Sequence, residues 1–337
     1  GMDENVCIFL EEMQLEGVNP DHETFACCVR ACGSLEDGVK GQELHIEMSK
    51  KGFNDEVISS ILVDMYGKCC LLPEAHNVFS KMEDQNVVSW TSLIDAYCEN
   101  SIDSEKALCC FNHMLLKGIS PDAFSIASTL KCCIGSRFLG FGQQLHMLIF
   151  QFGYENDEFI GNTLVDMYAK CGLLADAQQA FEKLLVQDVM SWSIMITSYV
   201  EKGEHTKAFS LYAQMQEQSI PPDSMIFLGI LRACSVMGIL QIGQEVHTHI
   251  WKVGLDCGDL FLMNALVDMY VKSGNMIDAS YIFYLMPIKD LVSWNTLLMG
   301  CSNQKSSKDV FEIFESMKKT GVSPDDVSFL TILSACC

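Results

Sequence analysis

His45-Ile46-Glu47 forms an H-x-E, the opening of the zinc site with which nucleobase deaminases activate water. That chemistry also needs a P-C-x-x-C to complete the metal shell. The seventeen cysteines of this chain include no C-x-x-C at all. His45 closes a Gly-Gln-x-x-His segment that recurs at His146 and His247, where no x-Glu follows. His45 therefore reads as a structural histidine. The cysteine count is odd and several cysteines are adjacent, Cys27-Cys28 and Cys132-Cys133 among them. Such usage suits free, buried helical thiols of a reducing compartment better than a disulfide framework or a zinc site. No phosphate-binding glycine loop, G-x-S-x-G elbow or H-E-x-x-H occurs. No catalytic residue, metal or cofactor is expected, and the chain reads as something other than an enzyme.

The elements that carry these residues are repeated. Asp64-Met65-Tyr66, Asp166-Met167-Tyr168 and Asp268-Met269-Tyr270 recur at one fixed step of 102 residues, which Trp90, Trp192 and Trp294 share. Pro-Asp pairs at 20–21, 121–122, 222–223 and 324–325 mark a second register, and the Gly-Gln-x-x-His segments a third. Together they delimit repeats at 22–55, 56–86, 87–122, 123–157, 158–188, 189–223, 224–259, 260–290 and 291–325. Residues 1–21 end a repeat of the Pro-Asp type, and 326–337 begin another of the type at 22–55.

Each repeat reads as two helices. The second carries an apolar stripe at i, i+4 and i+7: Ala75/Phe79/Met82, Ala107/Phe111/Met114, Ala177/Phe181/Leu184, Ala208/Tyr212/Met215 and Ala279/Phe283/Met286. Gly172, Gly203 and Gly274 stand where a first helix must stop, suiting a left-handed cap. Hairpins of this size cannot bury their faces alone and must stack on their neighbours. The fold class that follows is all-α, an α-α superhelix: a right-handed solenoid of stacked helical hairpins, continuous over 1–337.

Composition limits the partners. A hydrophobic content of 49% suits a packed array, and no apolar run approaches the ~20 residues of a membrane span, so no membrane partner is expected. The net charge of −22 excludes indiscriminate neutralisation of phosphates. A groove with a few placed cations is compatible with it. The chain opens Gly1-Met2 without a basic or serine-rich leader, so any targeting peptide is expected outside this sequence.

Val87-Val88-Ser89-Trp90-Thr91-Ser92-Leu93-Ile94, its relative Leu291-Val292-Ser293-Trp294-Asn295-Thr296-Leu297-Leu298, and Leu164-Val165-Asp166-Met167-Tyr168-Ala169-Lys170-Cys171-Gly172 resemble the pentatricopeptide repeat family. The alternating lengths resemble its plant class of P, L and S repeats, with L at 22–55, 123–157 and 224–259 and S at 56–86, 158–188 and 260–290. The P repeats are then 87–122, 189–223 and 291–325. The resemblance covers essentially the whole chain. Tetratricopeptide repeats, the nearest alternative, fit the unequal lengths and Pro-Asp endings poorly.

The resemblance implies binding of single-stranded RNA at one base per repeat, selected by the fifth residue of the first helix and the last residue of the repeat. The selecting pairs are then Ser60/Asn86, Thr91/Asp122, Asn162/Asp188, Ser193/Asp223, Asn264/Asp290 and Asn295/Asp325. An asparagine amide donates and accepts, as the edge of uracil requires. The family pattern gives guanine for Thr or Ser with Asp, and adenine for Ser60/Asn86. Ala26, Ala127 and Leu228 at the fifth position of the long repeats cannot read a base edge. The projected ligand is 5′-NAGNUGNUU-3′.

The family's second position, which packs on the base, holds Val57, Val88, Phe159, Met190, Phe261 and Val292. Its thirteenth, near the phosphates, holds Lys68, Lys170 and Lys272 in the short repeats but Glu99, Glu201 and Asn303 in the P repeats. Plainer readings of these residues are helix caps, inter-repeat core and dipole compensation respectively. The implied role is target recognition for C-to-U editing of a mitochondrial or chloroplast transcript. An editing cofactor protein docked on the long repeats, or a deaminase domain beyond residue 337, is the implied partner. Transcript stabilisation, splicing, or a protein-binding scaffold are the alternatives.

Overall fold

The computed structural model describes residues 2–99, 104–134, 138–255, 258–304 and 307–335. Every regular element among them is an α-helix. They fall into two compact units, residues 1–173 and 174–337.

The first unit holds α1 (Met2–Leu15), α2 (His22–Ser34), α3 (Gly38–Lys51), α4 (Glu56–Lys68) and α5 (Leu72–Lys81). It continues through α6 (Val87–Glu99), α7 (Ser104–Leu116), α8 (Ala123–Cys132), α9 (Leu139–Gln151) and α10 (Glu158–Lys170). The second unit opens with α11 (Leu174–Glu182), α12 (Val189–Glu201), α13 (His205–Glu217), α14 (Ser224–Met237) and α15 (Leu240–Val253). Then come α16 (Leu260–Lys272), α17 (Met276–Leu285), α18 (Leu291–Asn303), α19 (Ser307–Lys319) and α20 (Asp326–Ala335). In each unit the even-numbered helices pack side by side, α2 on α4 on α6 on α8 on α10, and α12 on α14 on α16 on α18 on α20. Within each unit the odd-numbered helices pack back against neighbouring even-numbered ones.

Local chemistry sets the ends. Gly172, Gly203 and Gly274 take φ of 82°, 78° and 78°, the left-handed turn that stops a first helix without a Cβ clash. The expected apolar stripe is realised within the hairpins, with Ala107, Phe111 and Met114 fully buried, as are Ala208 and Met215. In the short repeats the second helix ends earlier than the i+7 pattern expects. Met82 and Leu184 fall beyond the ten-residue α5 and the nine-residue α11 and are half-buried, whereas Met286, just beyond α17, is buried.

Two further contacts explain why the sequence repeats as it does. The Phe of each short repeat meets the Trp of the next helix edge to face, in Phe79/Trp90, Phe181/Trp192 and Phe283/Trp294, with centroids 4.6, 4.8 and 4.7 Å apart. The three indole N–H groups are buried without a conventional acceptor. The Gly-Gln-x-x-His segment lies against Asp-Met-Tyr. A Cβ on Gly41 or Gly243 would fall 2.5 or 2.3 Å from the sulfur of Met65 or Met269. In the same junctions His45, His146 and His247 bond the hydroxyls of Tyr66, Tyr168 and Tyr270 at 2.8, 2.9 and 2.8 Å. That bond is the structural role the sequence assigned to His45.

The expectation of free thiols holds for eleven of the described cysteines and fails for two. Cys98 of α6 and Cys132 of α8 are joined as a disulfide, their Cα atoms 5.3 Å apart. Side-by-side first helices bring two thiols within bonding reach, a juxtaposition that cysteine spacing alone does not reveal.

Candidate nucleic-acid interface

On a first helix, residues two, five, nine and thirteen of the repeat fall on one stripe, since their spacings of three, four and four follow the helical turn. In α4 these are Val57, Ser60, Asp64 and Lys68; in α16, Phe261, Asn264, Asp268 and Lys272.

All six second-position residues, Val57, Val88, Phe159, Met190, Phe261 and Val292, are exposed, Phe261 by 77%. Their reading as inter-repeat core is therefore wrong. The long repeats from 123 onward carry the same feature, which the sequence reading passed over: Phe124, Met225 and Val327 occupy the second position and are exposed too, whereas the repeat at 22–55 has Glu23 there. Phe124 and Phe159 lie with ring centroids 5.7 Å apart. The signal available in the sequence was an apolar residue at the same phase of every first helix from α4 to α20.

The terminal residue of each repeat caps the helix that follows. Asp122, Asp223, Asp290 and Asp325 accept from the backbone N–H groups of Ser125, Ile226, Ser293 and Ser328 at 2.8 to 2.9 Å. Asn86 and Asp188 cap α6 and α12 in the same way. The capping role is thus real for the last residue of each pair, and the fifth residue lies one turn inside the preceding first helix.

Within the pairs the structure distinguishes several states. Asn264 Nδ2 donates to Asp290 Oδ1 at 3.2 Å, and Asn295 Nδ2 to Asp325 Oδ1 at 3.0 Å. Thr91 Oγ1 donates to Asp122 at 3.3 Å. Ser193 and Asp223 are not bonded to each other, and Ser60 turns back to the Glu56 carbonyl at 2.9 Å while Asn86 Nδ2 donates to the Glu56 carboxylate at 2.5 Å. Asn162 is buried on α10. Ala26 and Ala127 of the long repeats are buried as well. Burial alone would raise the Asp290 carboxyl, but bonds from Ser293 and Asn264 hold it below the ordinary value. The Ser328 backbone N–H, the Asn295 amide and the Ser328 hydroxyl do the same for Asp325. Asn264 Oδ1 is buried and accepts no bond.

Lys68, Lys170 and Lys272 end their helices, where a cation compensates the dipole. Each also donates to the ninth-position carboxylate one turn back, Asp64, Asp166 and Asp268, at 2.8, 2.8 and 2.9 Å. A phosphate at these lysines must compete with that partner. The Glu99 carboxyl is raised by burial and by Asp95, against the opposing influence of Lys68 and Lys131. The stripe is therefore an alternation of charges rather than a basic track.

The arrangement is that of a helical-hairpin repeat protein presenting apolar and amide groups at repeat spacing. Family models described as "PPR repeat family" match residues 85–134, 187–235 and 289–337, and "PPR repeat" matches 57–87, 162–189 and 261–291. The chain belongs to the pentatricopeptide repeat family. It is 35% identical over 325 residues to a pentatricopeptide repeat-containing protein of Arabidopsis thaliana, covering 96% of this chain and 47% of that one. A chloroplastic relative from the same plant is 30% identical over 337 residues, 100% of this chain and 54% of its own. A putative mitochondrial one is 33% identical over 329 residues, 97% and 52%. The chain spans about half the length of these relatives. Among solved structures it resembles the pentatricopeptide repeat protein PPR10 from maize, with a TM-score of 0.75 at 16% identity over 100% of this chain and 54% of that one. PPR10 in complex with an 18-nt psaJ RNA element gives 0.73 at 17%, over 99% and 50%.

Proposed function

We propose that this chain binds single-stranded RNA in sequence, one base per repeat, as a member of the class with alternating P, L and S repeats. The repeats run as one array with the boundaries given above. The observation that carries the reading is the pairing of Asn264 with Asp290 and Asn295 with Asp325, one helical turn from the exposed Phe261 and Val292. An amide held by a carboxylate presents one donor and one acceptor to a base edge, while the neighbouring apolar side chain offers its flat face a contact. Asn162/Asp188 reads the same base by sequence, and Ser60/Asn86, Thr91/Asp122 and Ser193/Asp223 read adenine, guanine and guanine. Lys68, Lys170 and Lys272 meet the backbone.

Several findings support this reading: the repeat family itself, the RNA bound by PPR10, and relatives named chloroplastic or mitochondrial. The transcript is then an organellar one and the task target selection for C-to-U editing, with a cofactor protein on the long repeats or a deaminase domain elsewhere in the protein. Titration with 5′-NAGNUGNUU-3′ and a scrambled control tests the reading. Equal affinity for both, or for neither, rejects it.

A protein-binding role has its own observation. Ile277, Tyr281 and Tyr284 on α17 are exposed at i, i+4 and i+7. The matching positions of the other short repeats hold Pro73, Asn77 and Ser80, and Ala175, Gln179 and Glu182. Capture of protein with no RNA affinity would favour this second reading.

A further inference from the structure

Ten terminal residues, from Asp21 to Asp325, cap the next first helix, yet the residue three places later differs in kind. After Asp55, Asp157 and Asp259 it is Ile58, Ile160 and Leu262, and their backbone N–H groups still bond the cap at 3.0, 2.9 and 3.1 Å. These are the long repeats, whose fifth residue is apolar. After Asn86, Asp122, Asp188, Asp290 and Asp325 it is Ser89, Ser125, Ser191, Ser293 and Ser328, every one completely buried. These follow repeats with a polar fifth residue. The exception is Ser193/Asp223, followed by Ile226, and there the pair is unbonded. The acid caps without the hydroxyl, although Ser293 and Ser328 also accept from the Asp290 and Asp325 backbone N–H groups at 2.9 and 3.3 Å, closing a capping box at Asp290.

The hydroxyls have two settings. Ser89, Ser125 and Ser191 donate to the main-chain oxygen of the capping residue at 2.9, 2.9 and 2.8 Å. Ser293 donates to the Asp290 carboxylate at 2.7 Å, and Ser328 lies 2.9 Å from Asp325 Oδ1 and 2.6 Å from Asn295 Oδ1. With its nitrogen on Asp325 and its oxygen on Ser328, the Asn295 amide has one orientation. The flipped amide would set its oxygen against the carboxylate, acceptor against acceptor. One N–H and one lone pair are left for a ligand.

We infer that the buried hydroxyl three residues after the terminal acid is a third, positioning member of the base-reading unit, with Ser328 orienting Asn295 and Ser293 orienting Asp290. This rests on the reading that the pairs face bases. The test titrates the full chain against four RNAs of the projected sequence that differ only at the ninth base, using wild type, S328A and S328T. S328A lowers the preference for U there by about three- to tenfold, the effect of one lost hydrogen bond, and leaves the eighth-base preference intact. S328T restores it, since Thr24 fills the same phase with its hydroxyl 2.6 Å from Asp21 Oδ1. An S328A protein that ranks the four bases as wild type does, or that weakens all four equally, overturns the inference while the base reading stands. Wild type that binds without preference at the ninth base removes both.

Discussion

His45 Nδ1 and Tyr66 OH lie 2.8 Å apart, joining the second helix of a long repeat to the first helix of the short repeat that follows. Two sequence anchors 21 residues apart are thus the two ends of one bond, and Gly41 against Met65 is its apolar counterpart. Burial raises the Tyr66 hydroxyl to about 12 and, with Lys81, lowers the His45 imidazole; burial lowers His247 too, outweighing Asp278.

The sign of the resulting pH effect is fixed. Unfolded chains take up a histidine proton near the ordinary value of about 6.5, whereas folded His45 and His247 resist it. Their penalty is absent well above 6.5 and grows as pH falls from there toward the folded values. Thermal melts should show Tm falling on acidification below about 6.5, before the depressed Asp290 and Asp325 titrate. The double variant H45Q/H247Q should flatten that limb; an unchanged limb would mean that other groups cause it.

Phe181 is buried against Trp192. Its truncation to alanine should cost about 3–5 kcal/mol by opening a cavity. Stacked repeats couple chiefly to neighbours, so hydrogen exchange should accelerate around α11 and α12. Uniform acceleration from end to end would contradict the stacked-hairpin account.

Asn264→Thr exchanges an amide for a hydroxyl and leaves Asp290 in place. The base preferred at the eighth RNA position should move from U toward G, changing the U:G affinity ratio by roughly five- to a hundredfold at ~1–3 kcal/mol per mismatched base. Filter binding with four RNAs varied at that base measures it. Identical rankings by wild type and variant would reduce Asn264 to a structural residue.

On the proposed reading Lys68, Lys170 and Lys272 meet the phosphates, each already paired to an aspartate, so the log–log salt slope should be near −2, at about −0.7 per neutralised phosphate. Affinities over a range of salt give it directly. A slope near −6 would require a basic surface absent from this chain's stripe.

The hairpins were readable because burial leaves a periodic signature. Ala, Phe and Met fall on one face, and Gly stands where a left-handed turn is needed. Exposure at the second position was harder to read, because an apolar residue such as Val88 looks alike in a core and on a surface. The state of each selecting pair was not readable at all. Ser60 and Ser193 share a residue type and a phase, yet one bonds its own helix and the other does not. Rotamers are set by neighbours such as Glu56 and Ser328 that belong to other turns. The Cys98–Cys132 bond was hidden for the same reason, since it depends on how two helices are aligned.

Asp290 both ends one repeat and starts α18. A residue in that position can drift only among side chains able to hold a helix start, because losing the cap costs about 1 kcal/mol. Evolution, or an engineer, therefore has a short alphabet at the last residue and a long one at the fifth. New specificities should arise mostly by change at Asn264 and its counterparts, with the terminal acid kept as the fixed half of the word.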